Sequence, residues 1–219
     1  MTMNAEDAKA LMTAHRLVHA GAPLDSARRV VVCLHGRGAS AADILGIAGA
    51  IGLVDVAYLA PQADDGAWYP RPFMEPLSAN APYLDAALDR IAAILADLAI
   101  KGFGGEQVVI AGFSQGACLS LEFAARQPGR VGGVLGFSGG LIGPSVEGRD
   151  ETARLDGLPV FIGCSERDPF IPAPRVRETV AHYERRGARV ISVLYPEPGH
   201  TINMDEIGKA RALLEGLDA

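Results

Sequence analysis

Six short, β-branched and almost unbroken apolar runs constrain this chain more than any other feature. They occupy residues 30–34, 56–60, 108–111, 134–137, 160–162 and 190–194. A strand with one wet face alternates apolar and polar residues, whereas an unbroken run suits a strand covered on both faces, as in a parallel sheet. The segments between the runs have helical period. In the clearest of them Leu84, Leu88, Ile91, Leu95 and Leu98 step by four and three along one face. Asn80 and Pro82 suit its first turn, and Gly102, Gly104 and Gly105 end it. A second helix is expected from Gln115 to about Arg126, stopping at Pro128-Gly129, and a third from near Pro174 to Gly187. The last starts at Asn203, with Glu206 three residues on in a capping-box pattern, and carries Ile207, Ala210 and Leu214. Strand alternating with helix predicts an α/β fold: a mainly parallel central sheet, helices on both faces and right-handed crossovers.

With 219 residues and no internal repeat, linker or low-complexity tract, one domain over residues 1–219 is expected. Hydrophobic residues make up 49% and charged residues 21%, which excludes a disordered or collagen-like chain. The net charge of −6, with no basic run, argues against nucleic acid or an anionic membrane surface as a partner. Cys33, Cys118 and Cys164 cannot all pair, lack the C-x-x-C spacing of zinc sites and lie in apolar stretches, so they read as core residues. The first 20 residues carry Glu6 and Asp7 where a signal peptide has basic residues, and no stretch reaches the roughly 18 apolar residues of a membrane span. A cytoplasmic protein is expected.

The pattern G-x-S-x-G occurs twice, around Ser114 and around Ser138. Its chemistry requires a strand entering a sharp turn and a helix leaving it, so that the serine stands above the sheet edge and backbone N–H groups face a developing oxyanion. Ser114 has both: the run 108–111 leads in, and a helix with Leu119, Leu121 and Phe123 leads out. Ser138 is followed by Gly139, Gly140, Gly143 and Pro144, where no helix can start, and reads as a strand-end residue near the site.

A serine needs a base, and the base a carboxylate to orient it. His15 and His19 stand four apart, but Arg16 occupies the place where H-E-x-x-H has glutamate; they read as polar residues of the N-terminal segment. His182, among Glu184, Arg185 and Arg186, reads as part of a solvated helix face, and His35 as shaping the turn after the first strand. His200, in Pro198-Gly199-His200 between the last strand and the last helix, lies where α/β sites form. The loop after residues 160–162 offers Glu166 and Asp168. Asp168 precedes Pro169, which keeps it out of a helix. The order Ser114, Asp168, His200 is that of the α/β-hydrolases. Backbone N–H groups of Gln115 and of Arg37, in the turn Leu34-His35-Gly36-Arg37-Gly38, are the expected oxyanion donors.

Taken together, LHGRG at 34–38, AWYP at 67–70, GFSQGA at 112–117, the D-P of ERDPFIP at 166–172 and PGH at 198–200 resemble the carboxylesterase/phospholipase branch of the α/β-hydrolases. That branch includes small bacterial carboxylesterases and the acyl-protein thioesterases. The stretches run through almost the whole chain in the family's order. The resemblance implies Ser114, Asp168 and His200 as triad and the Arg37 and Gln115 N–H groups as oxyanion hole. Acyl-protein thioesterases typically carry a leucine within the H-G-x-G turn and an acidic residue after it. Here Arg37 and Ala39-Ser40 stand there, a pattern closer to the bacterial esterases.

These readings predict hydrolysis of short-chain carboxylic esters through an acyl-enzyme, with no metal or organic cofactor required. The alternatives are a thioesterase or lysophospholipase acting on longer chains and, remotely, a binding module without catalysis. About twenty residues separate Ser138 from the strand at 160, too few for a helical cap, so the site is expected to be open. Trp68, Tyr69, Phe73, Met74 and Phe170, with Ile171 next to it, are the expected substrate-binding wall. The expected partner is a small-molecule ester, bound by a monomer or homodimer.

Overall fold

The computed structural model describes residues 5–217; residues 1–4 and 218–219 of the expected domain lie outside the described residues. A seven-stranded sheet runs through it in the order β1-β3-β2-β4-β5-β6-β7. The strands are β1 (Leu17–Gly21), β2 (Arg29–Leu34), β3 (Val56–Pro61), β4 (Val108–Phe113), β5 (Gly133–Phe137), β6 (Pro159–Ser165) and β7 (Arg189–Tyr195). All neighbours are parallel except β1, which lies antiparallel along the outer edge of β3 with Leu17 opposite Pro61. Every residue of β2, β3 and β5 is buried, as their unbroken apolar composition requires.

Side chains alternate between two cores. Val30, Val32 and Leu34 face a layer built on α1 (Ala5–His15), α5 (Tyr83–Ile100), α6 (Gln115–Arg126) and α7 (Ala173–Arg185). Val31 and Cys33 face the opposite layer, which contains α2 (Ala41–Ile44), α3 (Gly46–Ile51) and α8 (Met204–Gly216). The capping box at Asn203 is present: its side chain accepts from the Glu206 N–H, and Glu206 accepts from the Asn203 N–H. Asn80 departs from expectation. It is the last residue of the one-turn helix α4 (Leu77–Asn80), not part of α5, and is buried because its amide binds the Arg71 N–H and the Pro72 carbonyl.

Register brings the working ends together. Leu34 lies opposite Gly112, Phe113 opposite Phe137, and Ser165 opposite Tyr195, so the chain leaves β2, β4, β5, β6 and β7 along one rim of the sheet. The order β3-β2-β4 reverses direction at β2, where open α/β sheets leave a crevice. The connection 138–158 between β5 and β6 contains no helix or strand, so no cap domain covers that crevice.

Candidate active site

Ser114 is the single residue between β4 and α6, held at φ 56°, ψ −118°. A non-glycine residue in that region is strained, and the surroundings must impose it. They do so through close main-chain approach on both sides. A Cβ on Gly112 would stand 2.6 Å from the Ala117 nitrogen, and one on Gly116 would stand 2.5 Å from the Leu34 carbonyl carbon. The Ser114 N–H donates to the Phe137 carbonyl at 2.9 Å, anchoring the turn to β5. The two glycines of the motif are therefore steric requirements of this elbow.

His200, on the loop between β7 and α8, places Nε2 2.8 Å from Ser114 Oγ and Nδ1 2.6 Å from Asp168 Oδ2. Asp168 follows β6. Its Oδ1 accepts the N–H groups of Phe170 and Ile171 at 2.8 and 3.0 Å. Burial opposes the charge on Asp168, but the hydrogen bond from His200 and the two backbone donors outweigh it and hold the carboxyl below its usual range. An ionised Asp168 accepts the Nδ1 proton, which leaves Nε2 as acceptor for the serine hydroxyl. The imidazole is clasped between the Phe113 and Phe170 rings, with centroids 4.8 and 5.0 Å away.

The N–H groups of Arg37 and Gln115 have no backbone acceptor among the described residues, and both residues line the cavity beside Ser114. A network fixes them. The Gln115 side chain accepts the Trp68 N–H at 2.9 Å and donates to the Tyr69 carbonyl at 2.8 Å. The Arg37 guanidinium spans the carbonyls of Tyr69, Pro70 and Arg71. The Trp68 indole N–H donates to the His35 carbonyl at 2.8 Å. His35 accepts the Ala63 N–H at Nε2, and burial lowers its pKa, so a neutral ring shapes the turn. Sequence reasoning placed the Gln115 N–H here but missed its side chain; the glutamine within GFSQG was the available signal.

A cavity of about 580 Å³ opens over Ser114 and His200. Tyr69, Phe73, Phe170 and Ile171 line it, as do Phe113 and Cys118, which the sequence did not place there. Trp68 and Met74 correct the expectation. Trp68 is buried behind the wall, committed to His35 and Gln115, while Met74 is exposed and not among the residues lining the cavity.

The remaining candidates lie elsewhere. His15 ends α1 and pairs with Asp97 at 2.8 Å, and His19 on β1 contacts the Ala22 carbonyl. His182 is not on a solvated face. It is buried against Glu151 at 3.0 Å because the 138–158 connection folds over that side of α7. Glu166 is on the surface near Arg177. Ser138 is buried at the end of β5. All three cysteines are free and buried. No group of three or more His, Cys, Asp or Glu side chains suited to a metal ion occurs among the described residues.

The strand order, the elbow and the serine–histidine–aspartate line define an α/β-hydrolase fold. The chain belongs to the phospholipase/carboxylesterase family, whose model matches residues 17–217. Among solved structures it is similar to a phospholipase/carboxylesterase from Dyadobacter fermentans, with 39% identity and a TM-score of 0.84, covering 91% of this chain and 95% of that one. Esterase PE8 is 25% identical with a TM-score of 0.76, covering 91% and 97%. Among curated proteins, acyl-protein thioesterase 1 of Gibberella zeae is 30% identical over 117 residues, 52% of this chain and 49% of its own length. The chain thus aligns with about half the length of that relative, and with 32% of the Saccharomyces cerevisiae acyl-protein thioesterase 1.

Proposed function

We propose that the protein is a serine carboxylesterase that hydrolyses short-chain carboxylic esters through an acyl-enzyme. The continuous line from Asp168 Oδ2 through His200 to Ser114 Oγ, at 2.6 and 2.8 Å, carries this reading. Ser114 Oγ attacks the ester carbonyl while His200 Nε2 takes its proton, and Asp168 stabilises the imidazolium. The tetrahedral oxyanion receives the N–H groups of Arg37 and Gln115, which are already oriented when charge develops. Collapse expels the alcohol, which takes its proton from His200. Water, deprotonated by His200, then attacks the acyl carbon and releases the acid and Ser114.

The cavity volume and the uncapped crevice favour a short acyl group in a largely apolar pocket. The second reading, a thioesterase or lysophospholipase for longer chains, draws on the names of the curated relatives and on Phe170, two-thirds exposed at the rim. A small-molecule partner, a monomer or homodimer and a cytoplasmic location complete the proposal. The three free cysteines suit a reducing compartment, and no helix among the described residues is long and apolar enough to cross a membrane.

The test is kcat/KM on p-nitrophenyl acetate, hexanoate and laurate and on the matched thioesters. The expected order is acetate and hexanoate above laurate, and oxygen esters at least equal to thioesters. A maximum at laurate or on thioesters selects the second reading. Ser114→Ala should lower kcat about a thousandfold or more, and unchanged turnover would overturn Ser114 as the nucleophile.

A further inference from the structure

Behind the serine–histidine–aspartate line lies a second, largely buried contact that the proposed hydrolysis does not use. Cys164, the sixth residue of β6, is 1% exposed, and its Sγ stands 3.6 Å from Asp168 Oδ2, the oxygen that also accepts from His200. The alternative acceptor for the thiol, the Ile171 carbonyl, is farther away at 4.0 Å and carries no net charge. Burial, followed by the neighbouring charge of Asp168, pushes the Cys164 thiol up to about 12, so the sulfur keeps its proton. Ser138 lies close to the same sulfur. Ser138 is itself held at φ 53°, with its N–H on the Gly163 carbonyl at 2.7 Å. Such strain persists only where the surroundings fix it.

The cavity over Ser114 does not include Cys164, so the thiol has no route to substrate. What it can do is complete the shell of the carboxylate. Oδ1 has two backbone donors, and Oδ2 would otherwise have His200 alone.

We propose that Cys164 is a positioning residue for Asp168: its S–H donates to Oδ2 and helps hold the carboxylate facing His200. The inference rests on the hydrolase reading of Ser114, Asp168 and His200. A carboxylate free to rotate would orient the imidazole less well in the transition state while leaving ester binding alone. The loss therefore belongs in kcat and not in KM.

The experiment compares Cys164→Ala, Cys164→Val and Cys164→Ser on p-nitrophenyl acetate, with thermal unfolding of each and fluorophosphonate labelling of Ser114 in the parent protein. Ala and Val remove the donor, Val while keeping the space filled; Ser restores a donor. Ala and Val should lower kcat about five- to tenfold with KM within about twofold, and Ser should stay within about twofold of the parent. In an Asp168→Asn background, Cys164→Ala should cause no further fall. Equal losses for Ser and Ala, unchanged kcat in Ala and Val, or a full additional loss in the Asp168→Asn background overturns the proposal. A labelled Ser114 alongside any of these overturns the positioning role alone. An unlabelled Ser114 with an active Ser114→Ala protein overturns the assignment of Ser114, Asp168 and His200 and this inference together.

Discussion

Replacing Gly116 with alanine puts a methyl group where the main chain of the proposed oxyanion turn now lies. The new Cβ would stand 2.5 Å from the Leu34 carbonyl carbon and 2.7 Å from the His35 carbonyl oxygen, against an ordinary contact of 3.4 Å. Both neighbours are backbone atoms of a buried strand end, so neither can swing aside as a side-chain tip could. The Leu34 carbonyl oxygen lies closer still, so relieving the contact moves α6 away from β2 by about 1 Å or more. That motion separates Ser114 and the Gln115 N–H, on one side, from the Arg37 N–H on the other. A misplacement of about 1 Å in a reacting constellation costs on the order of a hundredfold in rate, and overpacking costs about 1–3 kcal/mol of stability. The assay is kcat/KM on p-nitrophenyl acetate with urea unfolding in parallel. Gly208→Ala on α8 serves as control, because a Cβ there meets nothing within 4 Å. Gly116→Ala should lose about a hundredfold in activity while the control keeps it. Activity within threefold of the parent would refute the claim that this contact sets the oxyanion geometry.

Gln115→Leu removes the acceptor of the buried Trp68 N–H, whereas the Tyr69 carbonyl keeps its bond from Arg37. One orphaned donor should cost about 1–3 kcal/mol in a urea titration, and a cost near zero would mean that the loop finds another partner. Glu206 supplies a pH test. Its side chain packs against Gly163, and Oε1 has no partner among the described residues. Burial, then the nearby Asp205, raises its pKa to about 7 despite the hydrogen bond from Asn203. The unfolded chain loses this proton near the ordinary glutamate range while the native state still holds it. Stability therefore falls as pH rises from about 4.5 to about 7, by about 3 kcal/mol from this group. Glu206→Gln should flatten that part of the stability curve, and parallel curves for the two proteins would contradict the assignment.

Most of this architecture was legible in the sequence because its core strands are buried on both faces and so carry unbroken apolar runs. The strand β1 escaped notice for the opposite reason: it lies at the antiparallel edge, only Leu17 of its five residues is buried, and His19 interrupts it. Helices α2 and α3, of four and six residues built largely from alanine, glycine and isoleucine, have too few turns to show a period. The three residues of the proposed triad were legible because each stands at a strand end in a motif of its own. The pocket wall was not, because hydrophobicity alone does not separate a ring that faces the cavity from one that serves as a strut. Trp68 has its backbone and indole N–H groups engaged and sits behind the wall, while its neighbour Tyr69 lines it. His182 misled for a related reason, since the carboxylate that buries it, Glu151, lies 31 residues away in the chain.

The central claim is that His200 and Asp168 activate Ser114 and no other serine. Peptide mass analysis after fluorophosphonate treatment of the parent protein and of His200→Ala tests it directly. A single adduct on Ser114 is expected in the parent protein and is lost in the His200 variant. An adduct on Ser138, or labelling of Ser114 that persists without His200, would contradict it.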